Sequence, residues 1–281
     1  MKTLSALLCA LALVGCSDKT KLPPPATDKS LRECVYTFYK GYTEPGPSGV
    51  LVATQKNGST NHVILTAGHV VRQLAPLHRA SNTCYLGFRS AGRPNVVRRI
   101  AAPAGYVCPF LHPDCPIEDL GGFLVKDLEA GVRSNSGRIF PIDLDIPFAN
   151  GVGIVRDESE YAKCSISEGT EVFTFCSDIT KPVDNLGYDW RDSVIVRTGK
   201  IHDLHAKLNI PNSTKRQNAV IVDFSSVNGN SGGPVFAYGL VDGLRYPFLL
   251  GVVSGQAGAK TNWTAVAPIG PIIKEIERNL R

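Results

Sequence analysis

Short apolar runs rich in β-branched residues recur along this chain, and each is bounded by glycine, proline or asparagine. The runs cover residues 49–54, 62–66, 95–100, 121–125, 171–176, 193–197, 219–222, 234–237 and 248–253. Segments of this length, separated by turn residues, are typical of the strands of a β-barrel or sandwich. Helical spacing is limited to residues 67–74, which could form a short helical turn, and to residues 271–280, which open with a proline. The pattern predicts an all-β fold with a C-terminal helix.

A glycine-rich serine segment lies late in this pattern and reads Asn228-Gly229-Asn230-Ser231-Gly232-Gly233-Pro234. A serine hydroxyl is a weak nucleophile unless an imidazole accepts its proton and N–H groups stabilise the oxyanion that follows. Glycines beside a serine let the backbone turn tightly enough to direct two N–H groups at one point. The segment therefore predicts Ser231 as a nucleophile, with the amides of Gly229 and Ser231 as the oxyanion hole.

A histidine segment far upstream, Thr66-Ala67-Gly68-His69-Val70, provides a candidate base. The two segments closely resemble those of the trypsin/chymotrypsin-like serine proteases, where a TA-[AG]-H motif carries the base and a G-[DN]-S-G-G-P motif carries the nucleophile. The resemblance extends over residues 48–280. It implies a serine endopeptidase that acts on proteins or peptides through an acyl-enzyme intermediate, with no cofactor.

The third member implied by this resemblance is an aspartate between His69 and Ser231, at the start of an apolar strand. Asp119 lies 50 positions after His69 and directly precedes Leu120 and the run 121–125. Asp114, Glu118 and Asp127 are nearby alternatives. Asp114 falls in a loop rich in proline and cysteine, and Asp127 follows the run, so Asp119 is the predicted partner. Its role would be to accept the Nδ1–H of His69 and stabilise the imidazolium.

The resemblance further implies two six-stranded antiparallel β-barrels with the triad in the cleft between them. The first barrel, residues 31–145, would carry His69 and Asp119. The second, residues 146–281, would carry Ser231 and end in the C-terminal helix. We expect the crossover between them near residues 142–150.

The resemblance also implies where the substrate pocket lies. In this family its floor lies six residues before the nucleophile, which corresponds to Ser225 with Ser226 beside it, and its wall corresponds to the segment that contains Ser254 and Gln256. None of these is charged, so the predicted preference is for small or apolar neutral side chains.

The residue before the nucleophile is Asn230. Trypsin-like digestive enzymes carry an aspartate there, which pairs with a newly cut N-terminus. Asparagine cannot form that ion pair, so the site is predicted to form without zymogen cleavage. The bacterial stress proteases of the HtrA type also have asparagine at this position.

The N-terminal residues 1–15 resemble a bacterial lipoprotein signal peptide. Lys2 gives a positive start, and residues 4–14 are apolar but too few to span a bilayer. The ending Leu13-Val14-Gly15-Cys16 resembles a lipobox, which implies lipidation of Cys16 and anchoring in a membrane of the cell envelope. The serine after Cys16 favours the outer membrane, with the domain in the periplasm or at the cell surface. An ordinary secretory signal is the alternative.

Residues 16–30, which follow this signal, contain the lipidated cysteine and the run Pro23-Pro24-Pro25. Proline-rich segments with mixed charges adopt extended conformations and act as spacers. We therefore predict a flexible tether between the membrane and the first barrel.

The sequence has 8 cysteines, two of which, Cys9 and Cys16, belong to the signal and lipidation site. Six cysteines in an exported domain predict three disulfides. The short spacings favour Cys108–Cys115 and Cys164–Cys176, which leaves Cys34 with Cys84. Metal binding is the alternative, but no C-x-x-C or H-E-x-x-H spacing occurs, so no metal site is predicted.

The formal net charge of +5 is modest, and its local arginine cluster lacks interleaved aromatic residues. Nucleic-acid binding is therefore not predicted. A catalytically inactive, trypsin-like binding or scaffold lipoprotein is the main alternative to an enzyme. An esterase with the same triad is disfavoured because α/β-hydrolases have a different order of triad residues. The oligomeric state is not predicted.

Overall fold

The fold is taken from a computed structural model. It describes residues 22–40, 44–56, 58–81, 83–90, 93–103, 106–107, 119–134, 137–177, 185–186, 189–191, 194–209, 216–257 and 262–280. The predicted signal peptide, Cys16 and the pair Cys108–Cys115 lie outside these residues. Within them, no helix has the length and apolar character needed to cross a membrane.

The secondary structure is mainly β. The strands are β1 Val35–Lys40, β2 Glu44–Lys56, β3 Ser59–Thr66, β4 Thr83–Ser90, β5 Arg93–Pro103, β6 Tyr106–Val107, β7 Gly121–Val125, β8 Ile142–Asp143, β9 Gly153–Ile154, β10 Glu171–Ser177, β11 Asn185–Leu186, β12 Asp189–Arg191, β13 Val194–Asn209, β14 Arg216–Val222, β15 Pro234–Val241, β16 Leu244–Gln256 and β17 Thr264–Pro268. The helices are α1 Asp28–Glu33, α2 Gly68–Ser81, α3 Leu128–Ser134, α4 Glu158–Lys163 and α5 Gly270–Leu280. Every predicted strand overlaps an observed one, and the C-terminal helix is confirmed as α5.

The second half of the chain forms a closed barrel of six antiparallel strands. The order is β15-β10-β13-β14-β17-β16, and pairing of β15 with β16 closes the ring. Alternate residues of these strands point inward, so that Val172, Val220, Val235, Leu250 and Val266 share one buried cluster. This barrel agrees with the predicted architecture.

The first half forms a sheet in the order β12-β5-β4-β1-β2-β3-β7-β6, extended beyond β12 by β11, while β8 pairs with β2. β5 pairs with β4 and β6 pairs with β7, and only residues 104–105 separate β5 from β6 along the chain, so the strands expected of the first barrel are present among the described residues. In addition, the outer edge of β5 pairs with Trp190 and Arg191 of β12. A hairpin from the second half of the chain thus extends the first sheet.

The two sheets share one hydrophobic core. Val50 and Leu65 of the first sheet belong to the same buried cluster as Phe175 and Phe236 of the barrel, and Ile273 of α5 packs into it as well. Successive side chains of a strand point to opposite faces of the sheet, so some side chains of β10 point into the barrel while Phe175 points toward this shared core. The site that lies between the sheets is therefore built on a continuous packed interior.

Helix α2 is longer than the predicted turn over residues 67–74. Val70, Val71 and Leu74 are buried in a cluster with Phe123 of β7. Their spacing places them on one helix face, and burial of that face stabilises the helix against the first sheet. The helix begins directly after β3, which positions its first turn at the edge of the cleft.

Residues 22–30 do not form the flexible tether that was predicted, because they dock onto the barrel. The carbonyl oxygen of Pro23 accepts a 2.7 Å hydrogen bond from the Tyr246 hydroxyl, and the N–H of Ala26 donates to Gly151 O at 2.9 Å. Leu22 packs against the barrel core. Prolines favour the extended conformation in which this segment lies along the surface.

Removing this docked segment should lower the thermal stability. A form that begins at Ser30 is expected to melt about 2–8 °C below one that begins at Ser17, because apolar burial and two hydrogen bonds are lost. Tyr246→Phe, which removes only one of these bonds, should lower Tm by about 2–4 °C. The measurement is thermal unfolding by circular dichroism. Equal melting temperatures for the two forms would contradict the docking.

The predicted disulfide Cys164–Cys176 is wrong, because Cys164 carries a free thiol. Cys164 lies beside Gly239, at one end of β15, whereas Cys176 lies beside Gly233, at the other end. Six residues of extended strand separate these positions by about 20 Å, and a disulfide requires Cα atoms within roughly 7 Å. The short sequence spacing was misleading because β10 carries Cys176 along the barrel and away from α4.

The predicted disulfide Cys34–Cys84 involves the side chain of Cys84, which lies outside the part of the chain that the structure describes. Cys34 itself is buried, and its Sγ lies 2.9 Å from the carbonyl oxygen of Leu31.

Candidate active site

His69 and Asp119 meet at the start of helix α2. The Nδ1–H of His69 donates to Asp119 Oδ2 at 2.6 Å, and the backbone N–H of His69 donates to Asp119 Oδ1 at 2.7 Å. This N–H belongs to the first turn of the helix, where N–H groups have no partner within the helix and favour a carboxylate. Gly68 lets the carboxylate approach, since a Cβ there would lie 3.0 Å from Asp119 Oδ1. The two hydrogen bonds from His69 to Asp119, one from the backbone N–H and one from Nδ1, orient the imidazole.

Ser254 of β16 provides a third hydrogen bond to the Asp119 carboxylate. The hydroxyl of Ser254 donates to Asp119 Oδ2 at 2.7 Å. Burial raises the pKa of the carboxyl, but the hydrogen bonds and charge of His69, together with the Ser254 bond, lower it, and the net pKa lies below the usual range. The ionised form that can stabilise an imidazolium is therefore favoured. Arg72 of α2 lies 3.5 Å from Asp119 Oδ1 but is largely exposed, so its contribution is small.

Ser231 lies in the loop between β14 and β15, where two glycines have positive φ angles. Gly229 and Gly232 have φ values of 92° and 82°, a region that other residues rarely adopt. A Cβ on Gly232 would lie 1.9 Å from Thr66 Oγ1, so the loop packs directly against β3. The N–H groups of Gly229 and Ser231 make no hydrogen bond to any other described residue. Two donors are thus left available in the predicted oxyanion hole.

Asn230 holds this loop from within. Its side chain is buried, and Nδ2 donates to Ser177 O at 2.8 Å. Oδ1 accepts from the N–H of Val227 at 2.9 Å and from Arg197 Nε at 3.3 Å. The side-chain amide of Asn230 is therefore held by internal partners on both its oxygen and its nitrogen.

Ser48, on strand β2 of the first sheet, contacts the same loop and was not singled out by the sequence. Its Oγ donates to Gly229 O at 3.2 Å, and its N–H donates to Ser231 O at 2.9 Å. The only sequence signal is its position between a proline and a glycine just before an apolar run. That pattern also occurs in ordinary turns, so a functional interpretation requires the structure.

A cleft of about 510 Å³ is lined both by His69 and by the loop that carries Ser231. Its lining residues are Gly46, Pro47, His69, Val70, Gln73, Ser226, Val227, Asn228, Gly229, Ser231, Val253, Gly255 and Gln256. Apart from His69, these described lining residues have no ionisable side chain. The Ser231 hydroxyl makes no hydrogen bond to His69 or to any other described residue. Contacts of this kind are often loose before a substrate binds.

The predicted pocket residues divide into two groups. Ser226 and Gln256 line the cleft, and Gln256 Nε2 lies 3.5 Å from Ser226 O across it. Ser225 and Ser254 are not among the lining residues, and the Ser254 hydroxyl contacts Asp119 instead of the open cleft. Asp223, the nearest carboxylate in sequence, accepts a hydrogen bond from the N–H of Lys200 and so points away.

No group of histidine, cysteine and carboxylate side chains that could hold a metal ion occurs within the described residues. Among the described residues, the site brings together an oriented imidazole, a serine and backbone donors. Together these groups can support attack of a hydroxyl on a carbonyl carbon.

The chain has the fold of the trypsin-like serine proteases. Its structure is similar to that of the MamO protease domain from Magnetospirillum magneticum, with a TM-score of 0.53 and 15% identity over 88% of this chain and 97% of that chain. This similarity establishes the fold, in agreement with the resemblance of the two motifs.

Two further solved structures resemble the chain. They are Deg5, with a TM-score of 0.49 and 18% identity over 88% of each chain, and the inactive form of the Rv3671c protease, with a TM-score of 0.48 and 13% identity over 91% of this chain and 97% of that chain. No protein-family model and no curated protein matches the sequence.

Proposed function

We propose that this protein is a serine endopeptidase of the bacterial cell envelope, with His69, Asp119 and Ser231 as its triad. The observation that carries the proposal is the 2.6 Å contact between His69 Nδ1 and Asp119 Oδ2, on the wall of the cleft that Ser231 also lines. A histidine oriented in this way beside a serine and two unbonded N–H groups matches the requirements of acyl transfer.

Each group has a defined part in the reaction. Asp119 holds Nδ1 protonated, which leaves Nε2 of His69 to accept the hydroxyl proton as Ser231 attacks the peptide carbonyl. The N–H groups of Gly229 and Ser231 stabilise the oxyanion of the tetrahedral intermediate. His69 then protonates the leaving amine, and water hydrolyses the acyl-enzyme by the same steps. The exposed fraction of the Asp119 side chain is only 14%, so this charge stabilisation acts in a partly dry environment.

The site is proposed to be active without zymogen cleavage. The internal partners of Asn230 support this, because they supply the contacts that a new N-terminus provides in digestive enzymes. The identity of the first residue should therefore not affect the kinetics of any form that keeps the docked segment.

Reaction of the purified protein with a labelled fluorophosphonate tests the proposal, because this reagent phosphonylates activated serines. We expect covalent labelling that disappears in Ser231→Ala, together with cleavage of a peptide library. The unbonded Ser231 hydroxyl favours a second candidate, a catalytically inactive binding or scaffold protein. Absence of both labelling and cleavage in the folded protein would support that candidate and contradict the enzyme.

The membrane location is proposed from the sequence of residues 13–16 alone. Cys16 would carry the acyl chains, the outer membrane is favoured, and the domain would face the periplasm or the cell surface. Metabolic labelling with a fatty-acid analogue should mark the protein, and Cys16→Ala should abolish both the label and membrane fractionation. An unlabelled wild-type protein would contradict lipidation and favour an ordinary secretory signal.

Small, uncharged side chains are proposed before the scissile bond. The described cleft offers no carboxylate for arginine or lysine, and Gln256 approaches Ser226 across it. A cationic substrate side chain would lose hydration there without gaining a partner.

Gln256→Ala should widen this preference. We expect kcat/KM for substrates with phenylalanine or leucine before the scissile bond to rise by about 10-fold relative to alanine substrates, because a few added methylenes are worth this much in a pocket. Gln55→Ala, at an exposed position on β2 outside the cleft, is the matched control. An unchanged ratio for Gln256→Ala would show that this side chain does not limit the pocket.

A further inference from the structure

We propose that the Ser48 hydroxyl is a positioning group for the oxyanion hole, acting from the first sheet on the loop that carries Ser231. The inference rests on the proposed function and assigns a role to a residue outside the triad. Ser48 is completely buried. Its contacts join it to both residues whose N–H groups would bind the oxyanion.

Ser48 holds these two residues by their carbonyl groups. Its Oγ–H donates to Gly229 O at 3.2 Å, and its N–H donates to Ser231 O at 2.9 Å. The N–H groups of the same two residues have no partner among the described residues. The carbonyls are thus fixed on the protein side of the loop, while both donors are left available for substrate.

The hydroxyl is itself fixed from the barrel. Ser48 Oγ accepts a 2.7 Å hydrogen bond from the N–H of Ser177 at the end of β10. The Ser177 hydroxyl lies 2.6 Å from Thr37 Oγ1 of β1, and Ser177 O accepts from Asn230 Nδ2 at 2.8 Å. All of these groups are buried. Ser177 is therefore linked to the loop by two routes. Its N–H donates to Ser48 Oγ, which in turn donates to Gly229 O, and its carbonyl oxygen accepts directly from Asn230.

Every polar group of Ser48 is used, since its carbonyl oxygen also accepts from Thr66 Oγ1 at 2.7 Å. Alanine at position 48 would keep the two backbone contacts and remove only those of the hydroxyl. The carbonyl of Gly229 would then lose a donor, and this residue has a φ of 92°, which allows wide rotation of its peptide groups. With the carbonyl no longer held, the φ and ψ angles of Gly229 could change, and the preceding peptide plane, which carries the Gly229 N–H, would then turn away from the position of the oxyanion.

The test compares Ser48→Ala with Thr54→Val in the full-length protein. Thr54 is a second buried hydroxyl on β2, and it donates to Asp145, away from the cleft. We expect Ser48→Ala to lower kcat by about 10-fold with KM changed less than about twofold, because the lost alignment acts only on the developing oxyanion. Thr54→Val should keep both constants while losing a comparable buried hydrogen bond.

A peptidyl trifluoromethyl ketone provides a readout that a merely structural role would not change. Ser231 Oγ adds to its carbonyl carbon and the hydroxyl proton passes to His69, so that the carbonyl oxygen becomes a hemiketal oxyanion, whereas the corresponding peptidyl trifluoromethyl alcohol forms no such charge. Ser48→Ala should weaken binding of the ketone by about the factor lost in kcat, with the affinity for the alcohol unchanged. If Ser48→Ala does not fold, Ser48→Cys, with a weaker donor, should show a smaller change in the same direction.

The outcomes separate the two proposals. An active wild-type protein with unchanged kcat and ketone affinity in Ser48→Ala would overturn the role of Ser48 and leave the endopeptidase intact. A rise in KM alone would overturn it as well. A wild-type protein that neither cleaves peptides nor binds the ketone would overturn the endopeptidase, and the role of Ser48 with it.

Discussion

Replacing Ser231 by alanine is expected to lower kcat/KM for peptide hydrolysis by about 10³-fold or more. The substitution removes the nucleophile and leaves the loop intact, because the loop is held by Asn230 and by Ser48, whose contacts do not involve the Ser231 hydroxyl. The measurement is steady-state hydrolysis of one peptide selected from a library, with circular dichroism to show that the fold is retained.

His69→Ala should cause a loss of similar size, and combining it with Ser231→Ala should add little, because the two residues act as one unit. Ser167→Ala, which alters an exposed serine between α4 and β10, is the matched control and should retain full activity. Turnover near the wild-type level in Ser231→Ala or His69→Ala would exclude this catalytic assignment.

Asp119→Asn is expected to lower kcat by about 10³- to 10⁴-fold while the protein remains folded. The carboxylate accepts from the N–H and Nδ1–H of His69 and from the Ser254 hydroxyl. An amide has a single acceptor oxygen and would place its NH₂ against one of these donors. The imidazole would then lose its orientation or its Nδ1–H tautomer. The measurement is kcat for the same peptide.

Asp127→Asn is the matched control for Asp119→Asn. Asp127 follows β7 and has a φ of 53°, which asparagine also tolerates, so activity should be unchanged. If Asp114→Asn abolished activity and Asp119→Asn did not, the carboxylate would be misassigned.

The lowered pKa of Asp119 in the folded protein also affects stability. The hydrogen bonds that the ionised carboxylate accepts stabilise the fold above pH about 4. That stabilisation should be lost only as the pH falls below this value.

The strands could be predicted from the sequence because each is short, apolar and bounded by turn residues. Closure of the second barrel follows from the pairing of β15 with β16, which the local pattern of 234–237 and 248–253 does not encode. The extension of the first sheet by β12 was missed because Trp190 and Arg191 form only a very short strand. A pairing so far apart along the chain leaves no local signal.

Within the candidate site, the motif residues could be predicted and the supporting residues could not. Glycines that require positive φ around Ser231 leave a recognisable pattern. Ser48 and Ser254 act through single hydroxyl bonds to distant segments, and one serine has no periodicity to detect. The cysteine pairing failed for a related reason, because sequence spacing does not show that a strand separates Cys164 from Cys176.

The position of the proposed catalytic groups on two different sheets has a consequence for how the molecule matures. His69 lies in α2 and Asp119 directly before β7, in the half of the chain that forms the first sheet, whereas Ser231 lies in a loop between two strands of the barrel. Ser48 of β2 contacts this loop from the first sheet. A chain in which only one half has folded contains no complete hydrolytic centre. The proposed hydrolytic activity would thus appear only when both halves of the chain have folded and packed together.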